Sequence, residues 1–505
     1  MPSISGVRFH TPISSLYPTR PYTILYIVYH AHPEVLIRPD CSYINLQKLF
    51  RGYPACSPFQ PQHYIYKCRG ACDLPRSFVL RNYIIDCDTI DPTTMTSNRQ
   101  YDLVLLGTTG YTGRFCAEHI VQNLPTDLKW AIAGRSAQKM EPIAQELKAL
   151  NPDRVNPDVL VVQLNSTELN ELAQKTRLVI NCVGPYHLYS TPVVEACAVN
   201  GTHYVDVTGE TPWVKSIIDK YHETAKANGA IMIPSTGVES APADILAWAL
   251  VKRVREDLSS STRKVDSTIK EMKSSGPSGG TISTILTIFD GFSVSEMSEA
   301  MTPFSLVASP PKNSPSESIL EKAFGVRSIP DLGTVTTSPS GICDMTIVHR
   351  SSSLMPELYG QQFFFRQFLS VRNALIGVAI HLGFLVAVSL LALPPVRWLV
   401  EKFVFAPGSG PRREDSANDL LEYHAIATAD SPSPQRVFGK ITYHGGMYPF
   451  TGLLLAEAAM VILNEEEKIK KVSRGGIVTP ATLGQDYVDR LERVGCKIET
   501  KVFQY

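Results

Sequence analysis

Leu103-Val-Leu-Leu-Gly-Thr-Thr-Gly-Tyr-Thr-Gly113 is the stretch on which the reading of this chain turns. A short apolar run stops at Gly107, glycines recur at Gly110 and Gly113, and a helical pattern begins at once. A buried parallel strand turning tightly into a helix has this form. The start of such a helix offers unpaired backbone N–H groups, which suit a pyrophosphate. Gly107, Thr108, Thr109, Gly110, Tyr111, Thr112 and Gly113 are therefore candidate cofactor contacts, with the threonines as hydroxyl donors. Glycine triplets are common in ordinary loops, so the surroundings carry the weight.

Those surroundings alternate. Strands are expected at 102–106, 129–133, 159–164, 178–183, 203–207 and 230–234, with helices at 115–123, 140–150, 167–175, 192–199 and 213–227. Such alternation gives a parallel sheet covered by helices on both faces, and ligands bind beyond the carboxyl ends of its strands. The second strand ends in Arg135-Ser136, 28 residues after Gly107. A carboxylate there would hold the ribose hydroxyl of NAD and repel a 2′-phosphate; an arginine pairs with that phosphate. The expected cofactor is NADP, with NAD as the alternative. Gly184 and Pro185 shape the turn after the fourth strand, on the nicotinamide side. Cys182 ends that strand and reads as a buried thiol rather than a nucleophile. Tyr186, His187, Tyr204 and Asp206 are the nearest candidates for a proton relay, and Glu210 fits a helix cap at least as well. No catalytic residue is assigned.

Several blocks together carry a resemblance. Gly107-Thr-Thr-Gly-Tyr-Thr-Gly113, Ala133-Gly-Arg-Ser136, Asn181-Cys-Val-Gly-Pro-Tyr186 and Gly201-Thr-His-Tyr-Val-Asp-Val-Thr-Gly-Glu210 are joined by Ser235-Thr-Gly-Val-Glu-Ser-Ala-Pro-Ala-Asp244 and Gly475-Gly-Ile-Val-Thr-Pro480. In this order they resemble the saccharopine-dehydrogenase-like oxidoreductases. The resemblance spans 101–505 with interruptions and implies a Rossmann domain followed by an α+β substrate domain. It also implies similarity to trans-acting enoyl reductases of bacterial lipid synthesis, and to eukaryotic members associated with lipid droplets, membranes and glycolipid metabolism.

Composition bounds the rest. Lys plus Arg, at 48, balances Asp plus Glu, at 48, so no global field favours nucleic acid and none is expected as a partner. Five of the ten cysteines lie in the first ninety residues, which are rich in Tyr and Pro and lack periodicity. Cys68 and Cys72, with Cys56 and Cys87 nearby, raise the question of zinc, but no second matching pair exists and no metal is expected. Residues 1–97 read as an atypical, disordered extension, with Met95 as an alternative start.

The expected divisions are 98–240 for the Rossmann domain, 241–370 for an α+β substrate and dimerisation domain, 371–405 for a hydrophobic membrane segment, and 406–505 packing back on the folded unit. Within the second domain, 243–254 is expected as a helix, 265–273 as an edge strand and 342–349 as a strand. Thr281–Phe289 fits a helix or a strand, and the Gly/Ser turn at 274–280 is a lid candidate by analogy with the family fold. Ala374–Leu393 carries no formal charge over twenty residues and is apolar all round. A re-entrant or interfacial hairpin is expected rather than a single span, because residues 443–505 belong by resemblance to the same folded unit.

The fold class expected is thus α/β: a Rossmann dinucleotide-binding domain with an α+β second domain carrying a hydrophobic, membrane-associating helical segment. The expected function is an NADP-dependent oxidoreductase acting on a lipid-type substrate at a lipid-droplet, endoplasmic-reticulum or plasma-membrane surface, catalytic domain in the cytosol, as a homodimer. The alternatives are a non-enzymatic lipid-droplet or membrane scaffold or sensor retaining the fold, and a saccharopine dehydrogenase of lysine metabolism.

Overall fold

Leu103, Val104, Leu105 and Leu106 are all buried, as a strand covered on both faces requires. The computed structural model describes residues 99–311, 318–402 and 408–503, and the backbone of four short upstream strands. Those four form two antiparallel pairs within the separate unit Met1–Thr94: β1 (Cys41–Asn45) with β2 (Tyr64–Cys68), and β3 (Ser77–Leu80) with β4 (Tyr83–Asp86). The expected disordered extension and the cysteine group Cys56, Cys68, Cys72 and Cys87 otherwise fall outside the described residues.

Met95–Tyr505 forms one compact unit holding two sheets. The first comprises β5 (Tyr101–Leu106), β6 (Trp130–Gly134), β7 (Asp158–Val161), β8 (Thr176–Asn181), β9 (His203–Asp206) and β10 (Ile231–Ile233). The second is built from β11 (Thr262–Lys273), β12 (Arg327–Ile329), β13 (Gly333–Thr337), β14 (Phe364–Ser370), β15 (Leu420–Ala429) and β16 (Arg436–His444), and is closed by β18 (Lys497–Val502). One late strand, β17 (Gly476–Ile477), returns to the first sheet and pairs parallel with β10. The first sheet then runs β17-β10-β9-β8-β5-β6-β7, every pair parallel. This is the doubly wound order, with its switch point between β5 and β8, where Gly107 and Cys182 meet.

The second sheet runs β12-β13-β14-β11-β15-β16-β18, and only β11 with β14 is parallel. Two expectations fail here. The stretch 265–273 lies in β11, at the centre of the sheet rather than its edge. Its polar residues suggested a wet face, but Asp266 is buried and answered by Lys264 at 2.8 Å and by Arg366. The expected strand at 342–349 is the helix Gly341–Leu354, whose β-branched Ile342, Thr346, Ile347 and Val348 imitate strand composition. It is buried on most sides, which erases the helical period. Thr281–Phe289 resolves as part of the helix Gly279–Gly291, capped by the Ser278 hydroxyl on the Thr281 N–H.

One core joins the two sheets. It includes Leu103 and Ile132 from the first, Val265 and Ala425 from the second, and Leu454, Ala458 and Val461 from the helix Met447–Ser473. The other face of the first sheet is filled by Leu172, Val194, Trp213 and Ile217.

Candidate functional site

The glycine loop is built by close contact. Gly107 holds φ +93°, and a Cβ there would stand 2.9 Å from the Cys182 carbonyl carbon. At Gly113 a Cβ would lie 2.3 Å from the Gly107 oxygen, so only glycine lets the helix start under the loop. Gly110 donates its N–H to that same oxygen at 2.9 Å and caps the helix Tyr111–Asn123. The N–H groups of Tyr111, Thr112 and Gly113 meet no acceptor among the described residues. Free backbone donors at a glycine-bearing loop and helix start fit a pyrophosphate. The three threonines differ. Thr108 is fully buried and spends its hydroxyl on the Leu105 carbonyl at 3.2 Å, so it is not the ligand donor expected. Thr109 is exposed and Thr112 half-buried. Tyr111 turns away, donating to the Pro411 carbonyl and packing edge-on against Phe115 and Tyr448.

Arg135 follows β6 directly, is exposed, and has no ion-pair partner among the described residues. Ser136 holds the N-cap position of Ala137–Leu150 with its hydroxyl unspent on that helix. Both follow the carboxyl end of the second strand of the parallel sheet. Gly184 and Pro185 join through a cis peptide, with Gly184 exposed and Pro185 buried.

The relay candidates are mostly structural. Asp206 is fully buried, takes N–H bonds from Thr208 at 2.9 Å and Ser235 at 3.0 Å, and accepts the Tyr204 hydroxyl at 2.6 Å. Burial pushes its carboxyl up to about 7. Tyr186 gives its hydroxyl to the Asn181 carbonyl at 3.2 Å, and burial holds both tyrosines far above the ordinary phenol value. These groups brace the loops after β8, β9 and β10. Glu210 is buried too, accepting from the N–H groups of Tyr186 and His187 and lying 2.7 Å from His187 Nδ1. At the N-cap of its own helix, Thr211–Ala227, Glu210 makes no side-chain cap bond, contrary to expectation; its carboxylate instead caps the Tyr186–Tyr189 turn from a different loop. His187 Nε2, buried, meets no partner among the described residues. Burial drives the Cys182 thiol far up, so it stays protonated and is no nucleophile.

One acid escaped the sequence reading. Glu239 follows β10, and its Oε2 lies 2.7 Å from where a Cβ on Gly209 would stand. Its side chain is exposed, and desolvation by the protein around it raises its carboxyl. Cys343 and Asp344, at the start of Gly341–Leu354, and Tyr423 on β15 come from the second half of the unit and lie near enough to feel its charge. The signal for it was positional, an acid in the loop after a strand end, hidden inside a block read only as a family likeness.

Residues 103–233 match the saccharopine dehydrogenase NADP binding domain, so this module is one for a nicotinamide dinucleotide. A trans-acting enoyl reductase of Mycobacterium ulcerans is 26% identical over 417 residues, 79% of this chain and 97% of that protein. A Mycobacterium tuberculosis protein, named provisionally for the same activity, is 28% identical over 419 residues, 80% of this chain and 98% of that protein. The solved apo saccharopine dehydrogenase (L-Glu forming) of Saccharomyces cerevisiae aligns with TM-score 0.44 at 12% identity, over 80% of this chain and 100% of that one. Module and long relatives agree: the chain carries a saccharopine dehydrogenase NADP binding domain and is similar along most of its length to the trans-acting enoyl reductases.

Proposed function

We propose that the chain is an NADP-dependent reductase of a lipid-type substrate, working at a membrane or lipid-droplet surface with its dinucleotide site in the cytosol. Gly107–Gly113 would hold the pyrophosphate, Arg135 and Ser136 the 2′-phosphate, and Gly184-Pro185 the nicotinamide end. When bound, the reduced dinucleotide supplies a hydride. The chain's own work is to orient it, exclude water and furnish a proton.

The helix Ala374–Leu391 carries the lipid side of the reading. Of its 18 residues only Gly377 and His381 are buried, and Leu375 is 84% exposed. At 1.5 Å per residue it is about 27 Å long, close to a bilayer's hydrocarbon thickness. β14 and β15, which flank this segment in sequence, both pair with β11, so its two ends return to one body. That geometry favours a helix lying in the interface or re-entering over a true span. Arg397 closes the segment, donating to the carbonyls of Leu391 and Ala392 and to Asp290.

A non-catalytic scaffold is the second reading. It draws on the strand of chain at 408–411, which crosses the glycine loop: a Cβ on Gly410 would lie 2.7 Å from the Tyr111 ring. Titration with NADPH and NADH separates the two. Tight NADPH binding, weakened at least about tenfold relative to NADH in Arg135→Glu, is expected from loss of one charge-assisted phosphate contact. No binding of either nucleotide by folded protein overturns the reductase reading, and a preference for NADH overturns the role of Arg135.

A further inference from the structure

We propose that docking of the exposed apolar helices on a lipid surface and binding of the dinucleotide are coupled through the helix Gly279–Gly291, so that each tightens the other. The inference rests on the reductase reading with its lipid-facing segment, and it adds a regulation of that site: the cofactor is held more firmly when the protein sits on lipid.

The contacts carry it. At the start of Gly279–Gly291, the Gly279 N–H donates to the Ser409 carbonyl at 3.0 Å. The chain at 408–413 in turn clasps the first helix of the dinucleotide domain. There the Pro411 carbonyl accepts the Tyr111 hydroxyl, and Arg413 pairs with Glu118 at 2.5 Å and lies over the Phe115 ring. Tyr448 closes the same corner: its hydroxyl accepts the Ser278 N–H at 2.5 Å, and its ring meets Tyr111 edge-on. At the other end of the helix, a Cβ on Gly291 would stand 2.7 Å from the His187 ring, in the turn that follows Gly184-Pro185. Asp290 beside it takes the Arg397 guanidinium at 2.5 Å, from the helix Pro394–Glu401 that continues the exposed segment. One helix thus joins the lipid-facing segment to both ends of the dinucleotide site.

The clasp and a pyrophosphate are compatible. With 408–413 in place, the N–H groups of Tyr111, Thr112 and Gly113 still meet no acceptor among the described residues. What the clasp fixes is the first helical turn that carries those donors, and a site ordered beforehand loses less entropy on binding. The Gly/Ser turn at 274–280 belongs to the same clasp, with the Ser275 hydroxyl donating to Asp419 at 2.9 Å.

The lipid-sensitive member is the Arg397–Asp290 pair. Arg397 is buried but Asp290 is largely exposed, and an ion pair open to water contributes little. Leu393, Trp398 and Leu399, close to Arg397 in the chain, are all exposed. A lipid surface that takes them up removes water beside the pair and strengthens its attraction. The pair then holds one end of Gly279–Gly291, and the other end holds the clasp. Coupling between two sites is reciprocal, so bound dinucleotide raises lipid affinity by the factor that lipid raises dinucleotide affinity.

The test uses the full-length protein, NADPH fluorescence and phosphatidylcholine vesicles, whose neutral surface neither attracts nor repels the anionic dinucleotide. Saturating vesicles are expected to tighten NADPH binding at least about fivefold, and NADPH to raise partition onto vesicles by the same factor. Asp290→Asn should keep wild-type NADPH affinity in solution and still bind saturating vesicles, but its affinity should then change by less than about twofold. Asp290→Glu, which keeps the charge, should retain most of the shift. Without nucleotide, amide exchange at 408–413 should slow on vesicles in the wild type and not in Asp290→Asn. A wild type that sediments with vesicles yet binds NADPH equally with and without them overturns the coupling alone, as does a full shift in Asp290→Asn. Absence of NADPH binding by the wild type overturns the reductase reading, and absence of sedimentation overturns the lipid reading, each taking this inference with it.

Discussion

Ala374–Leu391 and Met447–Ser473 are both long and apolar enough to cross a bilayer, with mean hydropathies of 2.4 and 1.4, yet 11% of the first helix's window is buried and 78% of the second's. The difference lies in what each presents to its neighbours. Met447–Ser473 brings Gly452 against the first helix of the dinucleotide domain, so close that a Cβ would stand 2.6 Å from the Cys116 nitrogen. It also carries Glu457, buried and answered by His119 at 2.8 Å and Arg490 at 2.6 Å. Ala374–Leu391 has no such charge, and its only docked residues are Gly377, against Val326 and Val371, and His381, bonded to Thr337 at 2.8 Å. Hydropathy says that a helix avoids water. Small residues and paired charges say whether protein or lipid takes water's place.

The comparison breaks hardest at Leu454, which is fully buried in the shared core. Leu454→Asp places an unpaired carboxyl among apolar side chains and is expected to cost more than about 4 kcal/mol, leaving no cooperative thermal transition and no soluble monomer. The matched change in the other helix, Leu385→Asp at a residue 46% exposed, should leave Tm unchanged. Soluble, folded Leu454→Asp protein would mean that the buried helix is not part of the core.

Leu385→Asp then has its own, smaller readout. A carboxylate at the centre of a lipid-exposed helix costs roughly 2.5–3.5 kcal/mol, so partition onto liposomes should fall by about two orders of magnitude. Sedimentation with phospholipid vesicles measures it. Partition unchanged by this substitution would show that Ala374–Leu391 meets something other than lipid.

How much of this was legible in the residues follows the same division. The dinucleotide domain could be read almost element by element, since buried parallel strands are apolar runs and each turn carries its own glycine or proline. β17 escaped because a two-residue strand has no period, and the Gly475-Gly476 turn that precedes it is all that marks it. Gly341–Leu354 was misread because burial on most sides removes the alternation on which such reading depends, and β11 was placed at an edge because its polar residues hide a buried, ion-paired Asp266. In the site, Gly107 to Gly113 and Arg135 announce themselves by residue type at fixed spacing. Thr108 does not reveal its inward turn, nor Asp206 its three internal bonds, because both depend on partners brought in by other loops. Glu239 was hidden for a related reason. The groups that feel its charge, Asp344 and Tyr423, lie more than a hundred residues away in the chain.

The smallest effect sharpens the comparison at the far end of the buried helix, where Glu466 lies 3.3 Å from His203 Nε2 and pairs with Lys470. The Ile231 N–H donates to His203 Nδ1 at 3.0 Å, so the hydrogen sits on Nε2 and points at Glu466. Burial lowers His203 below its ordinary value despite Glu466, and the ring stays neutral at pH 7. The hydrogen bond from His203, then Lys470, depresses Glu466 from 4.5 to about 2. A carboxyl depressed on folding stabilises fully above its unfolded value and loses that contribution as pH falls through its folded one. Wild-type stability should therefore decline between pH 4.5 and 2 more steeply than that of Glu466→Gln, with urea midpoints at several pH values as the measurement. His203 adds to the decline from a higher pH, since the unfolded chain takes up its proton first. Equal slopes for wild type and variant would place Glu466 in solvent, and the last turns of Met447–Ser473 with it. The exposed helix, having no ionisable group but His381, should show no counterpart: substitutions of its leucines leave the acid limb untouched.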